Sequence, residues 1–347
     1  MKIDALTLAR YQIPLEAGLP VGKQRIESRQ GVVLRACVDG GEHYVEIAPL
    51  SGTDRDGQLI NGFSRESLDE VIAEAKNLLP SVMNGTHDLQ NACHGTALPS
   101  LAWGLSLLSA KILGQLPLHH HQFLPVPLLL PREGEPGALL KQRIAALPPA
   151  ITRLKIKVAQ TSMAEELSLI YAVLEQRPTL KLRLDANQGF ELAEAESFCA
   201  CLPKAAIEYV EEPCRRWQDN MTLFSRTGIP FALDETLARN PNEEISAELH
   251  TQGLRALVLK PMLLGSLQRL QNLIRHADAL GIRTVLSSSL EASLGIHDIC
   301  RVASWLTPDE APGVDTLSAF GKTLITGDDP RHNLTFDALT TVFTLEK

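Results

Sequence analysis

Five charged residues of this chain close strand-like runs at nearly even spacing. Lys157 closes Arg-Leu-Lys-Ile-Lys, Asp185 closes Lys-Leu-Arg-Leu-Asp, and Glu211 falls at the end of Ile-Glu-Tyr-Val-Glu. Asp234 follows Pro-Phe-Ala-Leu, and Lys260 follows Arg-Ala-Leu-Val-Leu. The intervals are 28, 26, 23 and 26 residues, the length of one strand–helix unit. A single strand-end charge is ordinarily a solvated loop residue, but five in register on consecutive units predict a shared site. Three carboxylates at one mouth, Asp185, Glu211 and Asp234, repel each other unless a cation neutralises them. Hard oxygens with room left for water or substrate suit Mg²⁺ better than Zn²⁺. Lys157 and Lys260 are expected to flank that ion from opposite sides. A lysine beside a divalent cation and a second ammonium is depressed in pKa and can act as a general base. The set suits removal of a proton α to a carboxylate, whose enediolate needs positive charge nearby.

Other residues support this set or compete with it. Glu212 and Glu235 adjoin the expected ligands, and strand alternation turns each either away from the mouth or into a supporting position. Lys155 shares the face of Lys157, facing a substrate carboxylate or a structural ion pair. Ser287-Ser288-Ser289 ends a strand on the same face and could bind an anion or cap the next turn. His119-His120-His121 lies between the two halves of the chain with no carboxylate nearby, which predicts a solvated turn. Cys199 and Cys201 sit two apart on a helical pattern, on different faces, as packing residues. There is no Gly-x-Ser-x-Gly elbow and no Cys/His pairing for covalent catalysis.

The elements that must carry these residues follow from pattern. Val126–Leu130 opens an alternation of strands near Arg153–Val158, Lys181–Asp185, Glu208–Val210, Pro230–Leu233, Arg255–Leu259, Arg283–Ser287 and, last, Gly313–Leu317. Helical patterns lie between them at 137–147, 162–175, 192–201, 220–227, 243–249, 266–280 and 292–306. Such alternation means a parallel sheet. About eight strands, with no Gly-rich phosphate loop after the first, favour an α/β barrel over an open doubly wound sheet. The first 50 residues alternate like an antiparallel sheet, with a polar segment Gly18–Arg29 and an Asp39-Gly40-Gly41 hairpin turn. Ser51–Gly62 is Gly- and Asp-rich, and a flexible loop is expected there. Helices are expected at Ser64–Leu79, with a Ser/Glu cap, and at Ser100–Leu113. The tail, 318–347, is expected to form a strand and a helix that return to the first domain.

Composition excludes several classes. The chain has 347 residues, 44% hydrophobic, with a net charge of −8. That balance argues against a nucleic-acid partner, which needs a basic face. No apolar run approaches the roughly 20 residues of a membrane span, and the N-terminus is too polar for a signal peptide. Six scattered cysteines without a CxxC pair fit reduced thiols in the cytoplasm. The expected partner is a small-molecule carboxylate, and the sequence leaves the oligomeric state open, a monomer included.

Lys155-Ile-Lys157, Asp185-Ala-Asn187, Glu211-Glu-Pro213, Asp234-Glu235 and Lys260-Pro-Met-Leu-Leu-Gly-Ser266 resemble the enolase superfamily, muconate-lactonizing subgroup. The likeness extends to Arg10-Tyr-Gln-Ile-Pro14, Glu46-Ile-Ala-Pro-Leu50, Ser287-Ser-Ser-Leu-Glu-Ala-Ser-Leu-Gly295 and Trp305-Leu-Thr-Pro-Asp309. It implies a (β/α)7β TIM-like barrel at 123–317, capped by an α+β domain at 1–122 that the tail 318–347 completes. It implies Mg²⁺, with Mn²⁺ as a substitute, held by Asp185, Glu211 and Asp234, with Lys157 as base and Lys260 as enediolate stabiliser. Lys155, Arg183, Asn187, Ser287 and Gly313 would meet substrate or support the site, and the loop around Gly18–Arg29 would close over it. The wording is similar to the branch that dehydrates a hydroxycyclohexadiene carboxylate, while relatives racemise N-acylamino acids or epimerise dipeptides. The family pattern runs almost directly from Pro-Leu to Gly-Phe-Ser. Here Pro49-Leu50 and Gly62-Phe63-Ser64 are separated by Ser51–Asn61, on the side that sets specificity.

Overall fold

The computed structural model describes residues 3–21, 24–54, 56–61, 64–118, 121–124, 126–239, 245–326 and 332–347. In chain order the first elements are strands β1 (Ile3–Val21), β2 (Gln24–Val38), β3 (Gly41–Ile47), β4 (Ser51–Thr53) and β5 (Leu59–Asn61). Helices α1 (Leu68–Met83), α2 (Leu89–Gly95) and α3 (Pro99–Ile112) follow. Then strands and helices alternate: β6 (Leu128–Leu129), α4 (Gly137–Ala145), β7 (Arg153–Lys157), α5 (Met163–Gln176), β8 (Lys181–Asp185), α6 (Leu192–Ala200), β9 (Ile207–Glu211), α7 (Asp219–Thr227) and β10 (Phe231–Leu233). After these come α8 (Glu235–Arg239), α9 (Ala247–Thr251), β11 (Leu254–Leu259), α10 (Pro261–Leu264), α11 (Leu267–Ala279), β12 (Arg283–Leu286) and α12 (Ser293–Leu306). The chain ends with β13 (Thr323–Leu324), β14 (Asn333–Leu334) and β15 (Thr340–Glu346).

Two compact units emerge. One comprises Met1–His121, Lys260–Leu273 and Leu286–Lys347, the other Gln122–Leu259 and Ile274–Val285.

The first unit is built on an antiparallel sheet ordered β15-β1-β2-β4-β5, with β3 also on β2. The tail does return: β15 lies along β1, from Ala5 opposite Glu346 to Arg10 opposite Thr340. Instead of the expected terminal helix, the described tail holds only 3-10 turns at Leu317–Ala319 and Phe336–Ala338 besides its short strands. The segment expected as a loop at Gly18–Arg29 is mostly strand, because β1 and β2 stay paired through Leu19↔Ile26, Pro20↔Arg25 and Val21↔Gln24. Backbone pairing needs no apolar side chains, so a polar stretch can continue a ladder. Positions 22 and 23 lie outside the described residues.

Ser51–Asn61 is likewise a hairpin rather than a loop. Asp54 makes the turn: its Oδ1 accepts the N–H groups of Asp56 (2.9 Å) and Gln58 (2.8 Å), an Asx-type turn. Gly52 allows β4 to press on β2, since a Cβ there would fall 2.1 Å from the Ser28 carbonyl. Residues 55, 62 and 63 lie outside the described set. Helix α1 starts later than Ser64, at Leu68, because Ser67 and Glu70 complete the capping box.

The second unit carries the parallel sheet. The strands run in strict order from β6 to β12, each followed by helix, the arrangement of a (β/α) barrel. Alternation sorts their side chains. Leu154, Ile156, Leu182 and Leu184 enter a core with Leu169, Ile170, Val173 and Phe198 of the covering helices. Tyr209, Ala232, Ala256 and Val258 form a second buried cluster. The expected strand at Gly313–Leu317 is reduced to a bridge between Ser287 and Gly313, after which the chain turns into the 3-10 segment. Among the described residues no helix is long and apolar enough to cross a membrane.

Candidate active site

Register explains why the central charges meet. Lys157 pairs with Asp185 between β7 and β8, and Asp185 with Glu211 between β8 and β9. Parallel strands at the same level point these side chains the same way. Lys157 Nζ donates to Asp185 Oδ2 at 2.6 Å and also to Asn187 Oδ1. Lys155 Nζ lies 2.8 Å from Asp185 Oδ2 and donates to both oxygens of Glu211, at 3.0 and 2.8 Å. Asp185, Glu211 and Asp234 are almost fully buried, at 1%, 1% and 2% exposure. Burial alone would raise the Asp185 carboxyl, but the ammonium groups of Lys155 and Lys157 outweigh it and hold it below the usual carboxylate range. Burial opposes the charged form of Lys155 too, and Asp185 with Glu211 overrides it, holding that ammonium well above its ordinary value.

Around this core lies a supporting layer. Glu212 is sealed, and its Oε1 accepts the N–H groups of Asp234 (2.9 Å) and Thr236 (2.8 Å). Its Oε2 accepts from Thr236 Oγ1 and Gln188 Nε2. Burial, then the charge of Glu235, pushes the Glu212 carboxyl up. Glu212 thus supports the site, locking the turn after β10 that carries Asp234. Asn187 donates its amide to Glu235 Oε1 at 2.7 Å, while Glu235 Oε2 is buried without a hydrogen-bond partner. Asn187, Gln188 and Glu212 all have positive φ (44°, 60° and 42°), a costly conformation for residues other than glycine that gathers at functional sites. Gly189 lets the loops after β7 and β8 touch, for a Cβ there would lie 2.5 Å from that of Ala159.

One support had no signal beyond a carboxylate inside an apolar helix face. Glu166 of α5 is buried and accepts the N–H groups of Ala159 (2.9 Å), Gln160 (2.7 Å) and Thr161 (2.9 Å), fixing the loop that follows Lys157. Arg183, 3% exposed, gives its Nε to Glu208 at 2.7 Å and stands over the Tyr209 ring. Arg153 and Arg283 also approach Glu208.

Lys260, Ser287, Gly313 and His121 belong to the other unit. Lys260 directly follows β11 and begins α10. Ser287 Oγ donates to the Gly313 carbonyl at 3.0 Å, and Ser288 N–H donates to the same oxygen. His121 is exposed with its N–H on Ser304 Oγ, and His119 and His120 lie outside the described residues. Cys199 is buried and Cys201 exposed.

Whether a divalent cation fits can be judged from the donors. Among the described residues no three His, Cys, Asp or Glu side chains are gathered as a ready ligand set, because Asp185 and Glu211 are turned onto ammonium groups. All the donors are hard carboxylate oxygens, the type Mg²⁺ takes. A positive charge is already held between Asp185 and Glu211, and the unpartnered Glu235 oxygen leaves negative charge unbalanced beside Asp234. The donor chemistry fits Mg²⁺, with the lysines yielding to it.

Residues 3–112 match the family model described as MenC, N-terminal domain, and residues 138–325 the one described as enolase C-terminal domain-like. The chain is similar to the o-succinylbenzoate synthase of Klebsiella pneumoniae (strain 342), 35% identical over 319 residues, 91% of this chain and 92% of that protein. Among solved structures it resembles the o-succinylbenzoate synthase of Thermosynechococcus elongatus BP-1, complexed with Mg in the active site. The TM-score is 0.72 at 27% identity, over 91% and 93% of the two chains. The L-Ala-D/L-Glu epimerase of Bacillus subtilis shares the fold, with a TM-score of 0.73 at 20% identity over 92% and 90% of the chains.

Proposed function

This chain belongs to the o-succinylbenzoate synthase family of enolase-like enzymes, and on that premise we propose how its residues convert 2-succinyl-6-hydroxy-2,4-cyclohexadiene-1-carboxylate to 2-succinylbenzoate. The product serves menaquinone biosynthesis, and the setting is the cytoplasm. Residues 123–317 act as the barrel, and 1–122 with 318–347 as the capping domain.

Asp185, Glu211 and Asp234 would hold Mg²⁺, or Mn²⁺ in its place. The ion would supply positive charge for the carboxylate whose α-proton is removed. Lys157 takes that proton from the ring carbon, then returns it to the hydroxyl leaving from the same face, so that water departs and the ring becomes aromatic. Asn187, which accepts from Lys157 Nζ, orients that amine for both transfers. Lys260 stays charged and stabilises the enediolate between them. Lys155, Ser287 and Gly313 would meet the substrate's carboxylates and carbonyl, and Arg183 would support Lys155 from below.

The observation that carries the reading is the pairing of Lys157 with Asp185 at adjacent strand ends, base beside expected ligand, 2.6 Å apart. The test follows the diene absorbance of the substrate with Mg²⁺, in the parent and in Lys157→Ala. Turnover lost with Lys157 supports the dehydratase. A parent that leaves the diene untouched, yet exchanges the α-hydrogen of N-succinylamino acids or dipeptides with deuterium, would make it a racemase or epimerase. The two lysines would serve that chemistry as well.

A further inference from the structure

The nine-residue run Ser287–Gly295 leads from β12 into α12, and two residues of the antiparallel sheet hold it. Arg29 of β2 has no exposed surface. Its Nε donates to the Leu290 carbonyl at 2.9 Å. Its Nη1 reaches the carbonyls of Gln30 (2.7 Å), Pro49 (2.8 Å) and Ser51 (2.7 Å), and its Nη2 that of Ala48 (2.7 Å). One guanidinium therefore ties Leu290 to the turn before β4. Only arginine has the five donors in a planar fork to do this in a dry place, and lysine would leave carbonyls unmet.

Glu46 of β3 holds the other end. It accepts the N–H of Ala292 on Oε1 and that of Gly295 on Oε2, both at 2.9 Å. These are free donors of the first turn of α12, so a carboxylate from a distant strand caps the helix. The Tyr11 hydroxyl donates to Oε1 at 2.5 Å. Gly295 is required there, since a Cβ would lie 3.0 Å from Glu46 Oε2 and 2.7 Å from Glu291 Cβ. Between these anchors Leu290 has a φ of 63°, a strained conformation that persists only where its surroundings impose it.

We propose that Arg29 and Glu46 are positioning residues for substrate binding: they fix the Ser287–Leu290 segment, so that the Ser289 hydroxyl, buried without a hydrogen-bond partner, is preset beside Ser287 for a carboxylate or carbonyl of the substrate. The proposal rests on the reading of Ser287 as a substrate contact. Neither residue handles the transferred proton, so their loss acts on binding rather than on chemistry. Preset donors spare the ligand the cost of ordering them.

The test uses the full-length protein with Mg²⁺ and the variants Arg29→Lys and Glu46→Gln, which keep polarity in case larger changes prevent folding. Steady-state kinetics on the cyclohexadiene carboxylate are paired with amide hydrogen exchange over peptide 286–295. The expected result is KM raised about tenfold with kcat within about threefold, together with faster exchange confined to that peptide. Removing both anchors should add little to removing one. Unchanged exchange at 286–295, or a loss in kcat with KM unmoved, overturns the proposal. Should the parent not turn over this substrate, the function assigned above falls, and the exchange data still decide whether the two residues fix the segment.

Discussion

Asp185 and Glu211 stand opposite each other in the β8–β9 register and share one ammonium, that of Lys155, 2.8 Å from an oxygen of each. Two buried carboxylates side by side cannot both stay ionised without such a counter-charge. If Asp185 and Glu211 hold Mg²⁺ as proposed, the ion and Lys155 compete for the same negative charge. Replacing Lys155 with Met should destabilise the metal-free protein by about 3–5 kcal/mol, the cost of leaving buried charge unpaired. Mg²⁺ should restore more stability to the variant than it adds to the parent, because the ion binds only the folded form. Urea unfolding of both proteins in EDTA and in Mg²⁺ measures this. Equal stability in EDTA would refute the counter-charge role.

Glu212 makes a second prediction. Its carboxylate accepts four hydrogen bonds, two of them from the backbone that presents Asp234 and Thr236. In Glu212→Gln one acceptor oxygen becomes an NH₂ that faces donors. Outer partners of this kind are worth about 10–100-fold in metal affinity. Mg²⁺ titration by calorimetry should show a loss in that range. An affinity within twofold of the parent would show that Asp234 holds its place unaided.

The proton on Glu291 sets a pH dependence of stability. Burial, then the charge of Glu46, raises its carboxyl from 4.5 to about 7, with Ser289 N–H and Arg29 opposing. Between those values the folded protein holds a proton that the unfolded chain releases, so stability falls as pH rises from 4.5 towards 7 and levels above it. The drop is about 3 kcal/mol at 1.36 kcal/mol per unit. Glu291→Gln, which keeps the shape without the charge, should flatten the curve. Urea midpoints at pH 5 and pH 8 for both proteins decide it, and parallel curves would remove Glu291 as the source.

Strand ends were legible because β7 to β11 each finish on a charged residue or run straight into one at the pitch of one unit. The Ser51–Asn61 hairpin was not, because its order comes from one side chain, Asp54, closing a turn on its own backbone. A composition of Gly and Asp does not distinguish that from a mobile loop. The β1–β2 ladder through the polar segment was hidden for a related reason: hydrophobic alternation reports burial, and paired backbone can lack it. Supports such as Glu166, Glu46 and Arg29 were invisible in role, since sequence shows residue type and the role lies in which backbone groups the side chain reaches.

The two lysines should separate under isotopic test. On the proposed assignment Lys157 alone moves protons in the dehydration, removing one and giving it to the departing hydroxyl, while Lys260 stays charged throughout. Lys157→Ala should lower kcat by about 10²–10⁴, the usual worth of a placed acid–base group. Lys260→Ala should lower it by about 10²–10³, as when one stabilising donor is removed from a developing oxyanion. A racemase behaves differently, because each lysine must exchange protons with one enantiomer. With N-succinylamino acids in deuterium oxide, single variants of a racemase would each retain exchange of one enantiomer only. An enzyme specialised for dehydration should exchange neither enantiomer at a rate rivalling its turnover of the cyclohexadiene carboxylate. Enantiomer-specific exchange as fast as dehydration would show that both lysines work as bases in this chain, and would break the division of labour assigned to Lys157 and Lys260.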